Sequence, residues 1–522
     1  MNTQVYVSAK HKMLGVPANP EIINLFPHCK SMIINGEDHL LLPHGPVESY
    51  LLKKFGYDVP APIVTQYDWA GGKPFDVQIK TCAMLTLSPR AYVLNGMGTG
   101  KTRAALWSWD YLKSAGLVNK AIVFAPLSTL TFTWKREAFQ VLPHRTATVL
   151  HGEKKRRLDR LNDPTAELFV INHDGLKVIY NELAKRTDID TVIIDELAVY
   201  RNNNERMKLM QKFCALPHIK VVWGMSGSPI PHSPTDVWSQ CRIVTPTTVP
   251  RYFKQFRDDL MIKVDQFKFV PKDDAVDRAY KVMQPAVRYT LDDVVELPDC
   301  VSRTIDVDLG TKQASIYKQL VASARVAIAN HEITAANAGA AMNKLLQISV
   351  GWVYTSDGKI VPLDNDKRIQ ALMDCIEGTD RKVLVFVPFK HALEGISGAL
   401  TDKDIDHVCV SGDTPAGKRA EIFNLFQNTD RYKVIAAHPQ CLAHGITLTA
   451  ADTIVWFGPV TSLEMYDQAN HRIRRVGQHH KQQIIHLQST PVERRVYGML
   501  RNHQKVQERF LELFETASKD EN

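Results

Sequence analysis

Cysteine is scarce in this chain: eight residues in 522, with no two at Cys-x-x-Cys spacing. That excludes a disulfide framework and a structural zinc site, and it fits a reducing compartment. Long hydrophobic runs are also missing. The stretch Val383–Pro388 is among the longest, far short of the roughly 20 residues a membrane span needs. The start, Met1-Asn-Thr-Gln-Val-Tyr6, lacks the basic-then-apolar pattern of a secretory leader. The expectation is a soluble, cytoplasmic protein. There is no internal repeat and no low-complexity segment. Charge of one sign does not dominate either: 64 Lys and Arg against 56 Asp and Glu leave +8, only a mild bias toward a polyanionic partner. With 44% hydrophobic and 23% charged residues, a largely disordered chain is excluded.

What is present is the patterning of an α/β protein. At roughly 150 residues per domain the length suggests about three domains. Residues 1–70 read as a small α+β module, with a strand over Thr3–Ser8 and a hairpin about Asn35-Gly36. From residue 71 short, wholly apolar runs alternate with amphipathic stretches: Tyr92–Leu94, Ala121–Ala125, Leu168–Ile171, Thr191–Ile194 and Lys220–Trp223. A second set runs from Lys382–Val387 through His407–Val410, Val434–Ala437 and Thr453–Phe457 to Gln483–Leu487. Strands apolar throughout and separated by helices imply parallel sheets covered on both faces. Two tandem α/β lobes are expected, over 71–236 and 366–500. Between them, 237–365 reads as a linker with helical packing, and 501–522 as a C-terminal helix and tail. That helix begins at Thr490-Pro491-Val492-Glu493, which combines an N-cap, a proline at the first helical position and a capping-box glutamate.

The chemistry concentrates at Asn95-Gly96-Met97-Gly98-Thr99-Gly100-Lys101-Thr102, between an apolar strand and a helical run. Its three glycines let backbone N–H groups turn inward around a phosphate, and the helix N-terminus adds its positive dipole end. Lys101 would reach the β- and γ-phosphates of ATP, and Thr102 would hold Mg²⁺. Asn95 stands where the general motif has its first glycine, a departure asparagine tolerates because it enters left-handed backbone more easily than most residues. The strand Thr191–Ile194 ends in Asp195-Glu196. Asp195 would complete the Mg²⁺ site, and Glu196 would orient the attacking water.

These motifs belong to a longer ordered set. Phe75-x-x-Gln78, Met97–Thr102, Ala125-Pro-Leu-Ser-Thr-Leu130, Trp134-x-x-Glu137, Asp195-Glu196, Ser226-Gly-Ser-Pro229 and Gln468-Ala-x-x-Arg472-x-x-Arg475-x-Gly477-Gln478 occur in that sequence. The order resembles the Swi/Snf-type ATPases of helicase superfamily 2 over roughly 71–500. The resemblance implies two RecA-like lobes and a DNA-dependent ATPase, a translocase or helicase working on duplex or branched DNA. Gln78 would read the adenine, beside a loop formed by Gly96, Met97, Gly98, Thr99, Gly100, Lys101 and Thr102. Ser226, Ser228 and Gln468 would couple hydrolysis to movement. Pro126, Ser128 and Thr129 on lobe one, and Gly412, Gly445 and Thr447 on lobe two, would follow the DNA backbone. Arg472 and Arg475 would act as arginine fingers, and an arginine supplied from outside the phosphate site suits the charge spread over a transferring phosphoryl group.

Two departures qualify the resemblance. The acidic block reads Asp195-Glu196-Leu197-Ala198, with alanine where the family has histidine, and Ala443-His444-Gly445 replaces a run of glycines. The lack of chromatin-reading modules points to a prokaryotic or viral member, in a bacterial or virus-infected cell. Replication, recombination or repair proteins are expected partners. The alternatives are a DNA-binding module with a weakened ATPase and the motor subunit of a restriction or defence complex.

Overall fold

The computed structural model describes residues 5–265, 268–329, 335–354, 359–442 and 447–504. It divides into two compact units, one built on Met1–Val294 and the other Val295–Val506. The first holds a seven-stranded, all-parallel sheet in the order Ala286–Val287, Arg90–Val93, Val221–Met225, Ile189–Ile194, Lys120–Ala125, Leu168–Asn172, Ala147–Leu150. Successive side chains of these strands enter two cores. Tyr92, Ile122, Phe124, Phe169 and Ile194 pack on one face, and Ala91, Val93, Val123, Val170 and Ile193 on the other. Burial on both faces is why these strands carry no polar alternation.

The second unit repeats the plan. Its six parallel strands run Cys300–Asp306, Gln482–Gln488, Ala451–Trp456, Lys382–Phe386, Val434–Ala437, His407–Val410. The α/β reading with two RecA-like sheets therefore holds. The stretch 237–365 is shared between the units. Ala286–Val287 adds an edge strand to the first sheet and Cys300–Asp306 one to the second. Cys300–Asp306 carries mostly exposed, polar residues, so it has none of the continuous apolar signature of its neighbours. The capping box at Thr490 is present, with the Glu493 carboxylate accepting from the Thr490 N–H at 3.1 Å. Glu493 also takes a buried ion pair from Arg368 at 2.6 Å, and Arg368 donates to the carbonyls of Ser349, Phe457 and Leu487. The helix start is thereby tied to the carboxyl ends of two strands. Val496, Tyr497 and Leu500 supply its buried face, while Val506, Phe510 and Phe514 lie outside the described residues.

The amino-terminal sheet is antiparallel, in the order Tyr6–Ser8, Met13–Pro17, Glu37–Pro43, Lys30–Ile34. Asn35 (φ 53°) and Gly36 (φ 85°) both sit in left-handed backbone, the two-residue hairpin turn their pairing predicts. The module has its own core of Leu14, Val16, Ile22, Leu40, Leu42, Leu52, Tyr57 and Val59. Beyond that point allegiance changes. Ala61 and Ile63 join the core of the large sheet, the Tyr67 hydroxyl donates to buried Asp110 at 2.7 Å, and the Trp107 indole donates to the Ala70 carbonyl at 3.0 Å. A truncation ending at Val59 is therefore expected to leave the melting temperature of the remainder nearly unchanged. One ending at Ala70 removes buried Ile63 and uncovers Asp110, costing several kcal/mol at ~2–5 kcal/mol for a large buried side chain. Thermal unfolding of the two truncations side by side checks this; equal melting temperatures would place the boundary elsewhere.

Candidate active site

In a parallel sheet all the strands end on one side, and the loops leaving those ends meet there. Four such loops carry the sequence motifs of the first unit. The phosphate loop leaves Arg90–Val93 and enters the helix Lys101–Ser114. Gly98 and Gly100 have φ of +83° and +81°, and a Cβ at Gly100 would collide with the Gln78 carboxamide. Only glycine meets both demands. The Lys101 ammonium is turned back into the loop, donating to the carbonyls of Asn95 (2.9 Å) and Gly96 (3.1 Å). Gln78 is buried; its side-chain oxygen accepts from the Phe75 N–H at 2.9 Å and its amide donates to the Thr99 carbonyl at 3.3 Å. It thus pins the start of the helix Asp76–Leu87 to the loop.

Asp195 and Glu196 leave the end of Ile189–Ile194. Burial pushes the Asp195 carboxyl above its ordinary range; the Trp134 indole N–H, the Lys101 charge and the Glu196 backbone N–H oppose it. The indole bond measures 2.8 Å. Glu196 has φ +54°, a left-handed conformation that costs a non-glycine residue about 1–3 kcal/mol and is typical of active sites. Ser226 leaves Val221–Met225, its N–H bonded to the Val93 carbonyl and its hydroxyl accepting from the Ser228 N–H at 3.1 Å. A Cβ at Gly227 would lie 3.8 Å from Met97, 3.9 Å from the Asn95 carbonyl and 4.0 Å from the Lys101 ammonium. The Ser-Gly-Ser loop is therefore seated against the phosphate loop.

The fourth loop follows Lys120–Ala125. Leu127–Thr129 forms a single tight turn, with the Thr129 hydroxyl on the Pro126 carbonyl at 2.9 Å and Ser128 exposed. A π-helical turn, Leu130–Lys135, follows, and it delivers Trp134 to Asp195. Glu137 then pairs with Arg103 of the phosphate-loop helix at 2.7 Å. The sequence displayed the Trp134-x-x-Glu137 block without its chemistry. Both residues serve the nucleotide side, one by holding Asp195 and one by bracing the helix behind Lys101.

The site fits ATP and Mg²⁺ on its own terms. Two of the loop's glycines take left-handed backbone, a lysine sits inside the loop's curve, and the hydroxyl and carboxylate oxygens of Thr102 and Asp195 are the hard donors Mg²⁺ prefers.

In the second unit Arg472 is 1% exposed, its Nε donating to the Gln468 carbonyl at 2.7 Å. Arg475 is half-buried, donating to the His471 carbonyl at 3.1 Å and facing the Thr447 hydroxyl at 3.4 Å. Gln468 is buried. Gly412 is exposed in the loop after His407–Val410, where Asp413 pairs with Lys390. Gly445 lies outside the described residues.

The SNF2-related domain matches residues 91–350, and the helicase conserved C-terminal domain follows over 367–477. The chain belongs to the Swi2/Snf2 family of helicase superfamily 2. As a Swi2/Snf2 protein it is an ATP-dependent enzyme of the helicase class. It is 27% identical over 409 residues to protein p41 of Acyrthosiphon pisum secondary endosymbiont phage 1, covering 74% of this chain and 85% of that one. It is 23% identical over 422 residues to an ATP-dependent helicase of Mycoplasma genitalium, covering 78% of this chain but only 39% of the relative. Among solved structures, the Sulfolobus solfataricus SWI2/SNF2 ATPase core in complex with dsDNA covers 86% of this chain and 95% of its own, at 18% identity and a TM-score of 0.40. Within this Swi2/Snf2 chain the position usually held by histidine is Ala198, 1% exposed in the turn Leu197–Tyr200. Among the described residues no helix is long and apolar enough to cross a membrane.

Proposed function

We propose that this protein is a DNA-stimulated ATPase that moves along duplex or branched DNA. One observation supports the reading most: the phosphate loop, Asp195-Glu196 and Ser226–Ser228 leave the same side of one parallel sheet, with the Lys101 charge acting on Asp195. Lys101 and the loop amides would hold the phosphates, and Gln78 would face the base from the loop's edge. Thr102 and Asp195 would hold Mg²⁺, which neutralises charge on the phosphate oxygens. Glu196 would orient water, and Arg475 of the second unit would act as the arginine finger. Arg472, fully buried within its own unit, serves that finger's setting. Ser226 and Ser228 flank Gly227, which is seated against the phosphate loop, and this suits coupling. Pro126, Ser128 and Thr129, with Gly412 and Thr447 of the second unit, are the proposed backbone-contacting loops for a largely sequence-independent, salt-sensitive grip.

Ala198 favours the weakened-ATPase alternative, since a side chain unable to hydrogen-bond sits where the family places histidine. ATPase rates measured with single-stranded, duplex, forked and four-way DNA, together with ATP-driven displacement of a triplex-forming strand, test the proposal. DNA-stimulated hydrolysis with displacement that fails in a non-hydrolysable analogue is expected. Binding to all four DNAs without stimulated hydrolysis would establish the alternative.

A further inference from the structure

Asn95, the residue in place of the motif's first glycine, is 2% exposed and has a carboxamide with two partners. Its amide donates to the Thr81 hydroxyl at 2.9 Å, on the helix that begins beside Gln78. Its oxygen accepts from the Tyr289 backbone N–H at 3.0 Å. The next residue completes the grip, with the Gly96 N–H bonded to the Tyr289 carbonyl at 2.8 Å. Both backbone groups of Tyr289 are thus held by residues 95 and 96. The neighbouring groups reinforce this. Leu94 N–H bonds the Val287 carbonyl, the Arg288 guanidinium donates back to the Leu94 carbonyl at 2.6 Å, and Leu291 methyls lie 3.3 and 3.6 Å from where a Cβ at Gly98 would stand. Thr290 is closed onto Asp293 through its N–H and hydroxyl, and the Val294 N–H bonds the Leu291 carbonyl. Three residues after Leu291 the first unit ends, and the chain continues at Val295 into the second.

Resting on the reading of this loop as the ATP site, we propose that Asn95 is a positioning residue. It clamps the phosphate loop to the Arg288–Val294 segment, so that nucleotide loading is passed to the point where the chain leaves the first unit. The chemistry supplies the signal. The Lys101 ammonium is bonded to the carbonyls of Asn95 and Gly96, the same two residues that hold Tyr289. Phosphate oxygens draw that ammonium away, because a charge-assisted bond to an anion is stronger than one to a neutral carbonyl. The peptide groups it releases are then free to shift, and Tyr289 shifts with them. Carboxamide is the fitting group for the clamp, since it offers a donor and an acceptor at once, where glycine has neither.

The test compares Asn95→Ala with Asn95→Asp, whose carboxylate still accepts from the Tyr289 N–H but cannot donate to the Thr81 hydroxyl, whose own proton goes to the Val77 carbonyl at 2.6 Å. Fluorescent-nucleotide affinity, kcat and KM for ATP, and triplex strands displaced per ATP hydrolysed are measured on the full chain. Asn95→Ala is expected to lower displacement per ATP about tenfold with nucleotide affinity changed by less than about threefold, and Asn95→Asp, which keeps only the Tyr289 half of the clamp, to recover part of that loss. Displacement and hydrolysis falling in proportion, with no rescue by Asp, would reduce Asn95 to a fold brace and overturn the proposal. Unchanged displacement per ATP would overturn it too. Should Asn95→Ala not fold, Thr81→Val releases one side of the clamp and must lower displacement per ATP relative to wild type. Failure of the ATP-site reading itself is distinguishable, because wild type would then bind no fluorescent nucleotide and hydrolyse no ATP.

Discussion

Lys101→Ala is expected to abolish ATP hydrolysis and ATP-driven strand displacement while leaving duplex DNA binding in place. The ammonium lies within the loop's curve, donating to the carbonyls of Asn95 and Gly96. A lost charge-assisted partner to a transferring phosphate lowers turnover by on the order of 10²–10³ for a single preorganised donor. Here the loss extends further. The Lys101 charge also opposes the rise of the Asp195 carboxyl caused by burial, so its removal lets Asp195 take up a proton more readily. A protonated carboxyl is a poor ligand for a hard cation, so the variant is expected to need more Mg²⁺, and the deficit grows as pH falls. In the proposed reading DNA affinity would draw on other loops, Leu127–Thr129 among them. The variant should therefore still shift duplex DNA in a low-salt gel and fail to displace a triplex-forming strand with ATP. Retained displacement would refute both the phosphate-loop assignment and the motor built on it.

How much of this was legible in the sequence depended on how local each feature is. The phosphate loop, Asp195-Glu196 and Ser226–Ser228 are short blocks whose chemistry is carried by neighbours in the chain, and the fold brings them together as parallel strands must. Apolar strands were visible because both of their faces are buried. Cys300–Asp306 was not, because an edge strand with exposed polar residues has no such pattern. Asn95 read as a tolerated departure; its role depends on Tyr289, 194 residues away. Trp134 stood out as a motif residue, yet only the π-helical turn that carries it to Asp195 explains why an indole is needed. In the basic run Lys154–Arg157 charge alone would suggest solvent exposure, whereas Arg157 is buried and donates to the carbonyls of Leu150 and Gly152. Tyr67 and Ile63 read as part of the amino-terminal module, and their side chains meet Asp110 and the core of the large sheet.

Arg472 and Arg475 of the Gln468–Gln478 block are not told apart by the sequence, but the structure separates them, and their substitution should too. Arg475→Ala is expected to slow DNA-stimulated hydrolysis by about 10² or more with little change in nucleotide affinity. A finger acts on charge that develops in the transition state, so kcat falls far more than KM for ATP rises. Arg475 is suited to this. It is half-buried and held by the His471 carbonyl and a long bond to Thr447, and burial lowers its guanidinium to about 10. It stays charged through neutral pH, and a partly desolvated cation gains more from an incoming anion than a fully hydrated one. Arg475→Lys should recover only part of the rate, because an ammonium lacks the planar fork that meets two phosphate oxygens at once. Arg472→Ala is expected to behave differently. Its side chain is among the largest fully buried ones, anchored on the Gln468 carbonyl, so the variant should lose melting temperature along with activity. Measuring kcat, KM for ATP and thermal unfolding on all three variants decides the matter. Arg475→Ala losing nucleotide affinity as steeply as turnover would make Arg475 a ground-state contact, and a stable, inactive Arg472→Ala would transfer the finger's role to the buried arginine.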